Sequence, residues 1–355
     1  MSILKGKRIV LGVTGSIACY RALDVASKLT QEEALVDVVL TESAAKFLYP
    51  LTFRSLTHRS VVTDLFDPDS EYSEHHVRLA EAADLVLIVP ATANTIAKLA
   101  AGIADDMLGC TVLATEAPVL IAPAMDYRMW RNTITQDNVA KMRERGFSFV
   151  GPVYGRLASG AFGEGRLADV DTIIGAARQA LGRNGDLAGR RIVVSAGGTQ
   201  EPLDPARYIG NYSSGKMGYS IAEAARDRGA GVTLVVGPTA LPDPAGIAMV
   251  KVRTTVEMRD AVASAVTNAD ALIMAAAPAD YRPAARSEQK MKRHGEDIVV
   301  HLVENPDILA EVNGPFVKVG FAAESQDLLQ NAREKLRRKK LDLIVANDIT
   351  ASDAG

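Results

Sequence analysis

The sequence predicts an α/β protein made of two successive parallel-sheet domains, and three observations carry this. Over the first 180 residues, short apolar runs alternate with longer amphipathic stretches. A polar, glycine-rich interval then interrupts the pattern, and after it the same alternation restarts. With 355 residues the chain has material for about two domains of ordinary size, each able to bury its own core.

The elements follow in order. Lys7–Val13 is a β-rich run ending in Thr14-Gly15-Ser16, and the spacing predicts a helix over Ile17–Leu29. Val36–Leu40, Leu85–Pro90 and Val119–Pro123 are further buried strands with helical segments between them. Such short apolar strands separated by helices call for a parallel sheet with right-handed crossovers. The run Leu181–Gly189 is polar and glycine-rich, which predicts a linker at 181–189 between domains 1–180 and 190–355. Arg190–Ser195 restarts the strands and leads into the turn Ala196–Thr199. Helices are predicted over Met217–Arg228 and Thr255–Val266, and strands over Val232–Val236 and Ala271–Ala275. Phe316–Ala322 and Leu343–Ala346 are strands around a basic helix, Asp327–Lys340. The sequence ends at Ala351–Gly355, just after a strand, where a hairpin or loop would close the sheet edge; a further C-terminal segment is expected.

Charge and composition narrow the function classes. Lys and Arg total 40 against 43 for Asp and Glu, a net charge of −3, so no nucleic-acid partner is expected. The longest apolar run, Ala82–Ala93, is broken by Asp84 and is too short to span a bilayer, so no membrane partner is expected. The N-terminus enters a strand at once without a cleavage site. Cys19 and Cys110 are too few to staple the chain and fit a reducing compartment, so a cytoplasmic protein is expected.

Gly12-Val-Thr-Gly15-Ser16 follows a strand and opens a helix, a context in which free N–H groups face an anion, although a tight turn of small residues is the competing reading. Thr41-Glu-Ser43 and Pro90-Ala91-Thr92-Ala-Asn94 place hydroxyls and an amide at carboxyl ends of strands, the edge where open α/β sheets hold ligands. With Leu99–Asp106 and Ala122-Pro-Ala-Met125-Asp126, these motifs resemble, in order, the flavin-containing cysteine decarboxylases. The resemblance implies a flavodoxin-like domain binding FMN between subunits of a trimer. It also implies that Gly15 and Ser16 hold the phosphate, with Thr41, Ser43, Ala91, Thr92, Asn94 and Met125 around the flavin. His76, in Glu74-His-His-Val-Arg-Leu-Ala80, resembles the family's active-site histidine, and imidazole suits proton handling near neutrality.

Two positions depart from that family. Asp126 stands where it usually has asparagine, and an ionised carboxylate accepts hydrogen bonds but cannot donate them to a substrate carboxylate. A raised pKa, or a role toward the substrate amide, would reconcile it with the site. In the flap Gly155–Arg166, Ser159 stands where the family commonly has its proton-donating cysteine, and a hydroxyl is a far weaker acid. These departures open a second reading, in which the flavin half is only an assembly scaffold or a regulatory binding module. The alternating pattern alone would also fit a nicotinamide-dependent dehydrogenase.

In the second half, Gly210-Asn-Tyr-Ser-Ser-Gly215-Lys216 has the first seven positions of a P-loop, but Met217 replaces the Ser or Thr that reaches Mg²⁺ and no preceding strand is expected. The longer stretch Gly197–Gly218 is similar instead to the phosphopantothenate–cysteine ligases. That resemblance implies a Rossmann-like domain in which Asn211 is catalytic and Arg207 shares its loop. It implies a CTP site formed by Met274, Ala275, Ala276, Asp280, Lys290, Asn305, Pro306, Asp307, Ile308 and Phe321. Lys335 and Lys339, four apart on a helix, share a face and can meet one anion. Asp280 is the candidate Mg²⁺ ligand. Together the resemblances cover nearly the whole chain and imply a bifunctional enzyme of coenzyme A biosynthesis. Its substrates would be 4′-phosphopantothenate, cysteine and CTP, and it would assemble as a homo-oligomer with a trimeric flavin core and paired ligase domains.

Overall fold

Valine, isoleucine and leucine runs form strands that are buried on both faces, and this decides the layering. The computed structural model describes residues 2–66, 74–292, 298–324 and 328–348. In the unit Met1–Gly182 the strands are β1 (Arg8–Val13), β2 (Leu35–Leu40), β3 (Val61–Val62), β4 (Leu85–Ala91), β5 (Val119–Pro123) and β6 (Ser148–Phe149). They form a parallel sheet in the order β3-β2-β1-β4-β5-β6. Alternate residues serve opposite faces. Ile9, Leu11 and Val13 join the core under helices Arg21–Gln31 and Val170–Gly182, whereas Val10, Val86 and Ile88 join the core under Ala93–Ala101, Met107–Ala114 and Thr133–Glu144. Every residue of β4 is buried.

A hairpin of β7 (Val153–Arg156) and β8 (Phe162–Arg166) lies outside the sheet, with Gly155 opposite Gly163 and Arg156 opposite Phe162. Two expectations change here. The predicted helix from Ile17 begins as a single 3₁₀ turn, Ile17–Tyr20, and the α-helix starts only at Arg21. Ser16 causes this: its Oγ accepts from the Ala18 N–H and its carbonyl accepts from the Cys19 N–H, which tightens the first turn. The predicted linker also begins too early. Leu181 packs on the core as the last turn of Val170–Gly182, and the two units divide between Gly182 and Arg183.

The unit Arg183–Gly355 contains β9 (Arg191–Ala196), β10 (Glu201–Pro202), β11 (Tyr208–Ile209), β12 (Gly231–Val236), β13 (Ala248–Lys251) and β14 (Ala271–Met274). They are followed by β15 (Tyr281–Pro283), β16 (Leu302–Glu304), β17 (Val317–Glu324) and β18 (Leu343–Asp348). Its parallel sheet runs β13-β12-β9-β14-β17-β18, the same spatial order as in the first unit. β10 with β11, and β15 with β16, are short antiparallel ribbons outside the sheet. β11 also corrects the expectation that no strand precedes Gly210, although this strand is a ribbon and not part of the parallel sheet. The basic helix spans Leu328–Arg338; residue 327 and the sequence end at 351–355 lie outside the described residues. No helix among the described residues is long and apolar enough to cross a membrane.

Candidate active sites

In each unit the strand order reverses beside the first strand, between β1 and β4 and between β9 and β14, and open α/β sheets hold ligands in the crevice at the carboxyl ends of such strands. At the first crevice Thr14 is buried and joins the two sides: its Oγ1 donates to the Pro90 carbonyl at 2.7 Å and accepts from the Thr92 N–H at 3.1 Å. Thr41 caps the short helix Glu42–Ala45 through the Ala44 N–H, and Thr92 caps Ala93–Ala101 through the Thr95 N–H. Gly15 lies against Ser43 so closely that a Cβ at 15 would collide with the serine side chain. Thus Gly15, Ser16, Thr41, Ser43, Ala91 and Thr92 gather on one edge, and Asn94 is exposed in the first turn of its helix.

A cavity of about 490 Å³ extends from Ser16 to the hairpin and is lined by Met125, Asp126 and Ser159 with Arg21, Arg156 and Arg166. β8 folds over the segment after β5, where the Met125 N–H donates to the Gly165 carbonyl at 3.0 Å. Only glycine fits this approach. A Cβ on Gly165 would strike the Met125 carbonyl oxygen, and one on Gly163 would strike the Tyr127 side chain. The hairpin tip brings the Ser159 Oγ to 3.4 Å from Asp126 Oδ2.

Asp126 also caps Tyr127–Arg131, accepting from the backbone N–H and the Nε of Arg128, each at 3.0 Å. The Arg128 side chain, then its backbone N–H, hold the Asp126 carboxyl below the usual carboxylate range. The raised pKa considered from the sequence is therefore corrected, because an arginine two residues away favours the ionised form. His76, half-buried near the start of helix His75–Ala82, does not line the cavity with Asp126 and Ser159. Its neighbour His75 lines a separate one with Arg8 and Arg78.

The second crevice has the same construction. Thr199, after β9, accepts from the Ala279 N–H at 2.9 Å, and its hydroxyl lies 2.9 Å from that of Thr255. Glu201 is buried, accepts from the Thr255 N–H and hydroxyl at 2.8 and 2.9 Å, and so fixes the start of helix Thr255–Ala265. Asn211 is exposed at the rim and donates its amide to the Pro278 carbonyl at 3.0 Å, while its backbone rests on Gly198, where a Cβ would come within 2.7 Å of the Asn211 carbonyl oxygen. Gly215, with φ of 78°, starts the helix Lys216–Asp227.

The predicted nucleotide residues divide into two groups. Ala275, Ala276 and Asp280 follow β14, and Asp280 and Lys290 are exposed. Pro306 and Asp307 sit beside the ribbon strand β16. Other members are used internally. Met274 and Ile308 are core residues, 5% and 3% exposed, so the surface they leave to a ligand is mainly backbone. Asn305 turns inward, its amide donating to the Ala279 carbonyl at 2.8 Å and its oxygen accepting from Arg282 at 3.0 Å. Lys335 donates to the Phe321 carbonyl at 2.7 Å and Lys339 pairs with Asp307 at 3.0 Å.

Among the described residues no three His, Cys, Asp or Glu side chains form a metal-holding cluster. A lone carboxylate such as Asp280 is the kind of donor that suits a Mg²⁺ ion carried largely by phosphate oxygens. Thr14, Thr199, Glu201, Thr255 and Arg128 were not singled out from the sequence. Thr14, Thr199 and Glu201 do lie inside the motifs quoted above, as buried polar residues directly behind the predicted loops.

A family model described as flavoprotein matches residues 2–182, and one described as the DNA/pantothenate metabolism flavoprotein C-terminal domain matches residues 187–355. The chain is 44% identical to the coenzyme A biosynthesis bifunctional protein CoaBC of Vibrio vulnificus (strain YJ016), covering 100% of this chain and 90% of that protein. It is 43% identical to the CoaBC protein of Escherichia coli (strain K12) and 42% to that of Bacillus subtilis (strain 168), each over 99% of this chain and 88% of the relative. A crystal structure of the C-terminal domain of a CoaBC protein aligns with 46% of this chain and 79% of its own, with 42% identity and a TM-score of 0.41.

Proposed function

The chain belongs to the bifunctional CoaBC family of coenzyme A biosynthesis, and from that premise we propose how its two crevices divide the work. The C-terminal unit joins 4′-phosphopantothenate to cysteine, and the N-terminal flavoprotein unit decarboxylates the resulting 4′-phosphopantothenoylcysteine to 4′-phosphopantetheine. The reading in which the flavin half is only a scaffold or a regulatory module is not favoured.

In the ligase crevice the co-substrate is CTP with Mg²⁺. The carboxylate of phosphopantothenate attacks the α-phosphate and pyrophosphate leaves; the cysteine amine then attacks the acyl carbon and CMP leaves. Asn211, at the rim, contacts the acyl-cytidylate, and Arg207 belongs to the same loop. Lys290 meets the triphosphate, and Asp280 would hold the Mg²⁺ ion, which would help offset the charge developing on the departing pyrophosphate. Lys335 and Lys339 shape this wall through Phe321 and Asp307.

In the first crevice the residues fit a phosphorylated flavin. The turn leaves no room for a side chain at Gly15, and hydroxyl-capped helix starts at Thr41 and Thr92 share its edge. FMN, when bound, supplies the two-electron oxidation that accompanies decarboxylation and returns the same electrons afterwards, so no external reductant is consumed. Ser159 and Asp126 supply and position the proton at the hairpin. His76 stands away from this cavity and serves the equivalent cavity of a second copy, in accord with a trimeric flavin core and paired ligase domains.

The observation that carries this reading is that both crevices, each at the strand-order reversal, hold the polar loop residues of their motifs. Mass spectrometry of protein incubated with 4′-phosphopantothenate, cysteine, CTP and Mg²⁺ tests it. The expected product is 4′-phosphopantetheine. Accumulation of 4′-phosphopantothenoylcysteine with flavin bound would leave only the ligase, and no conjugate at all would overturn the assignment of the second crevice.

A further inference from the structure

The turn that carries Arg207 is joined to the segment that carries Lys290 by one buried carboxylate. Asp204 is 1% exposed. Its Oδ1 accepts the backbone N–H groups of Ala206 and Arg207 at 2.7 and 2.8 Å, which closes its own turn. Its Oδ2 does something different, accepting the N–H of Met291 at 3.2 Å, 87 residues away in sequence. Two further bonds run parallel to it: the Ser287 N–H donates to the Leu203 carbonyl at 2.9 Å, and the Arg207 guanidinium donates to the Met291 carbonyl at 3.1 Å. Residues 287–292 form neither helix nor strand, and Lys290 is exposed. An irregular exposed segment of this kind samples many conformations unless something fixes it, and ordering it on binding weakens the apparent affinity for its ligand.

We propose that Asp204 is a positioning residue for ligation: through Met291 it clasps the segment 287–292 against the turn 203–207 and so fixes Lys290 where the triphosphate of the nucleotide arrives. This rests on the reading of Lys290 as a triphosphate contact. A structural role alone would need only the Oδ1 bonds, since these complete the turn. Oδ2 also stands 3.8 Å from the Arg207 guanidinium, but its hydrogen bond leaves the turn and ends on the residue next to Lys290. Burial by itself would raise the Asp204 pKa, but the N–H groups of Ala206, Met291 and Arg207 and the arginine charge outweigh it and hold the carboxyl ionised.

The substitution Asp204→Asn separates the two oxygens. The amide oxygen still accepts at the turn, whereas an NH₂ facing the Met291 N–H sets donor against donor. Steady-state ligation by the full chain is expected to show KM for CTP raised about tenfold, kcat within about twofold, and KM for cysteine unchanged. Amide hydrogen exchange at Met291 is expected to speed up in the same variant. Asp204→Ser keeps one acceptor for the turn and gives the same pattern if the asparagine variant folds poorly. Adding Lys290→Ala to Asp204→Asn is expected to raise KM for CTP no further than Lys290→Ala does alone, because both act through one contact. Lower kcat or a lower Tm with KM for CTP unchanged would overturn the proposal in favour of a purely structural aspartate. If Lys290→Ala itself leaves KM for CTP unchanged, it is the triphosphate reading of Lys290 that fails, while faster exchange at Met291 would still identify the clasp.

Discussion

Asp126 shows how one neighbour can decide what a side chain does. A carboxylate at this position, judged by residue type alone, repels the anionic part of a substrate; paired with Arg128 it presents a neutral couple whose other oxygen faces Ser159. Its folded pKa is depressed, so the ion pair is present above the ordinary carboxylate value and is lost as pH falls through the lowered one. The decarboxylase rate is therefore expected to show no acid limb from Asp126 at or above the ordinary carboxylate range, and Arg128→Gln is expected to move that limb upward. A pH–rate profile of both proteins checks this, and coincident profiles would count against it. Ser159→Ala is expected to reduce decarboxylase kcat about a hundredfold, with Ser159→Cys equal to or faster than the native protein, since a thiol is the better acid near neutrality.

At the level of elements, the hairpin β7–β8 works because two glycines let it lie on the backbone after β5. Gly165→Ala would force β8 off the Met125 carbonyl and carry Ser159 away from Asp126. The expected result is a loss of decarboxylase activity of at least about tenfold, for a misplacement on the order of an ångström, with ligation unchanged. Assay of the two half-reactions separately distinguishes this from general unfolding, which would affect the cavity and the cofactor together. The element is legible in the sequence as a glycine-spaced flap, but its paired register and the surface it covers are not, because they depend on residues 125–127 reaching it through the fold. The edge strand β13, whose residues are partly or fully exposed, gives no buried apolar run and so escaped prediction.

For the whole molecule, two units with the same strand order carry two reactions on one substrate line. Each has its own core and its own crevice, so the activities are expected to be separable. Asn211→Ala should abolish conjugation while supplied 4′-phosphopantothenoylcysteine is still decarboxylated; His76→Ala should do the reverse. Removing divalent cations with EDTA should stop ligation and spare decarboxylation. Product analysis by mass spectrometry reads all three outcomes, and loss of both activities from either variant would show that the units depend on one another.

Apolar periodicity by itself determined the two parallel sheets and nine of their twelve strands, the edge strands β3, β6 and β13 escaping it; small-residue turns marked Gly12–Ser16 and Pro90–Asn94 as candidate ligand loops, and Gly197–Gly218 stood out by its resemblance to the ligases. Those features are local, set by strand and helix periods and by where glycine is tolerated. Only the tertiary structure decided which side chains within those loops stay exposed and which hold the loops together. Met274 and Ile308 entered the core and Asn305 turned inward, while Thr14, Thr199, Glu201 and Asp204 became the buried ties between segments distant in sequence. Such ties depend on distances that exist only after the strands pair, so no spacing along the chain records them.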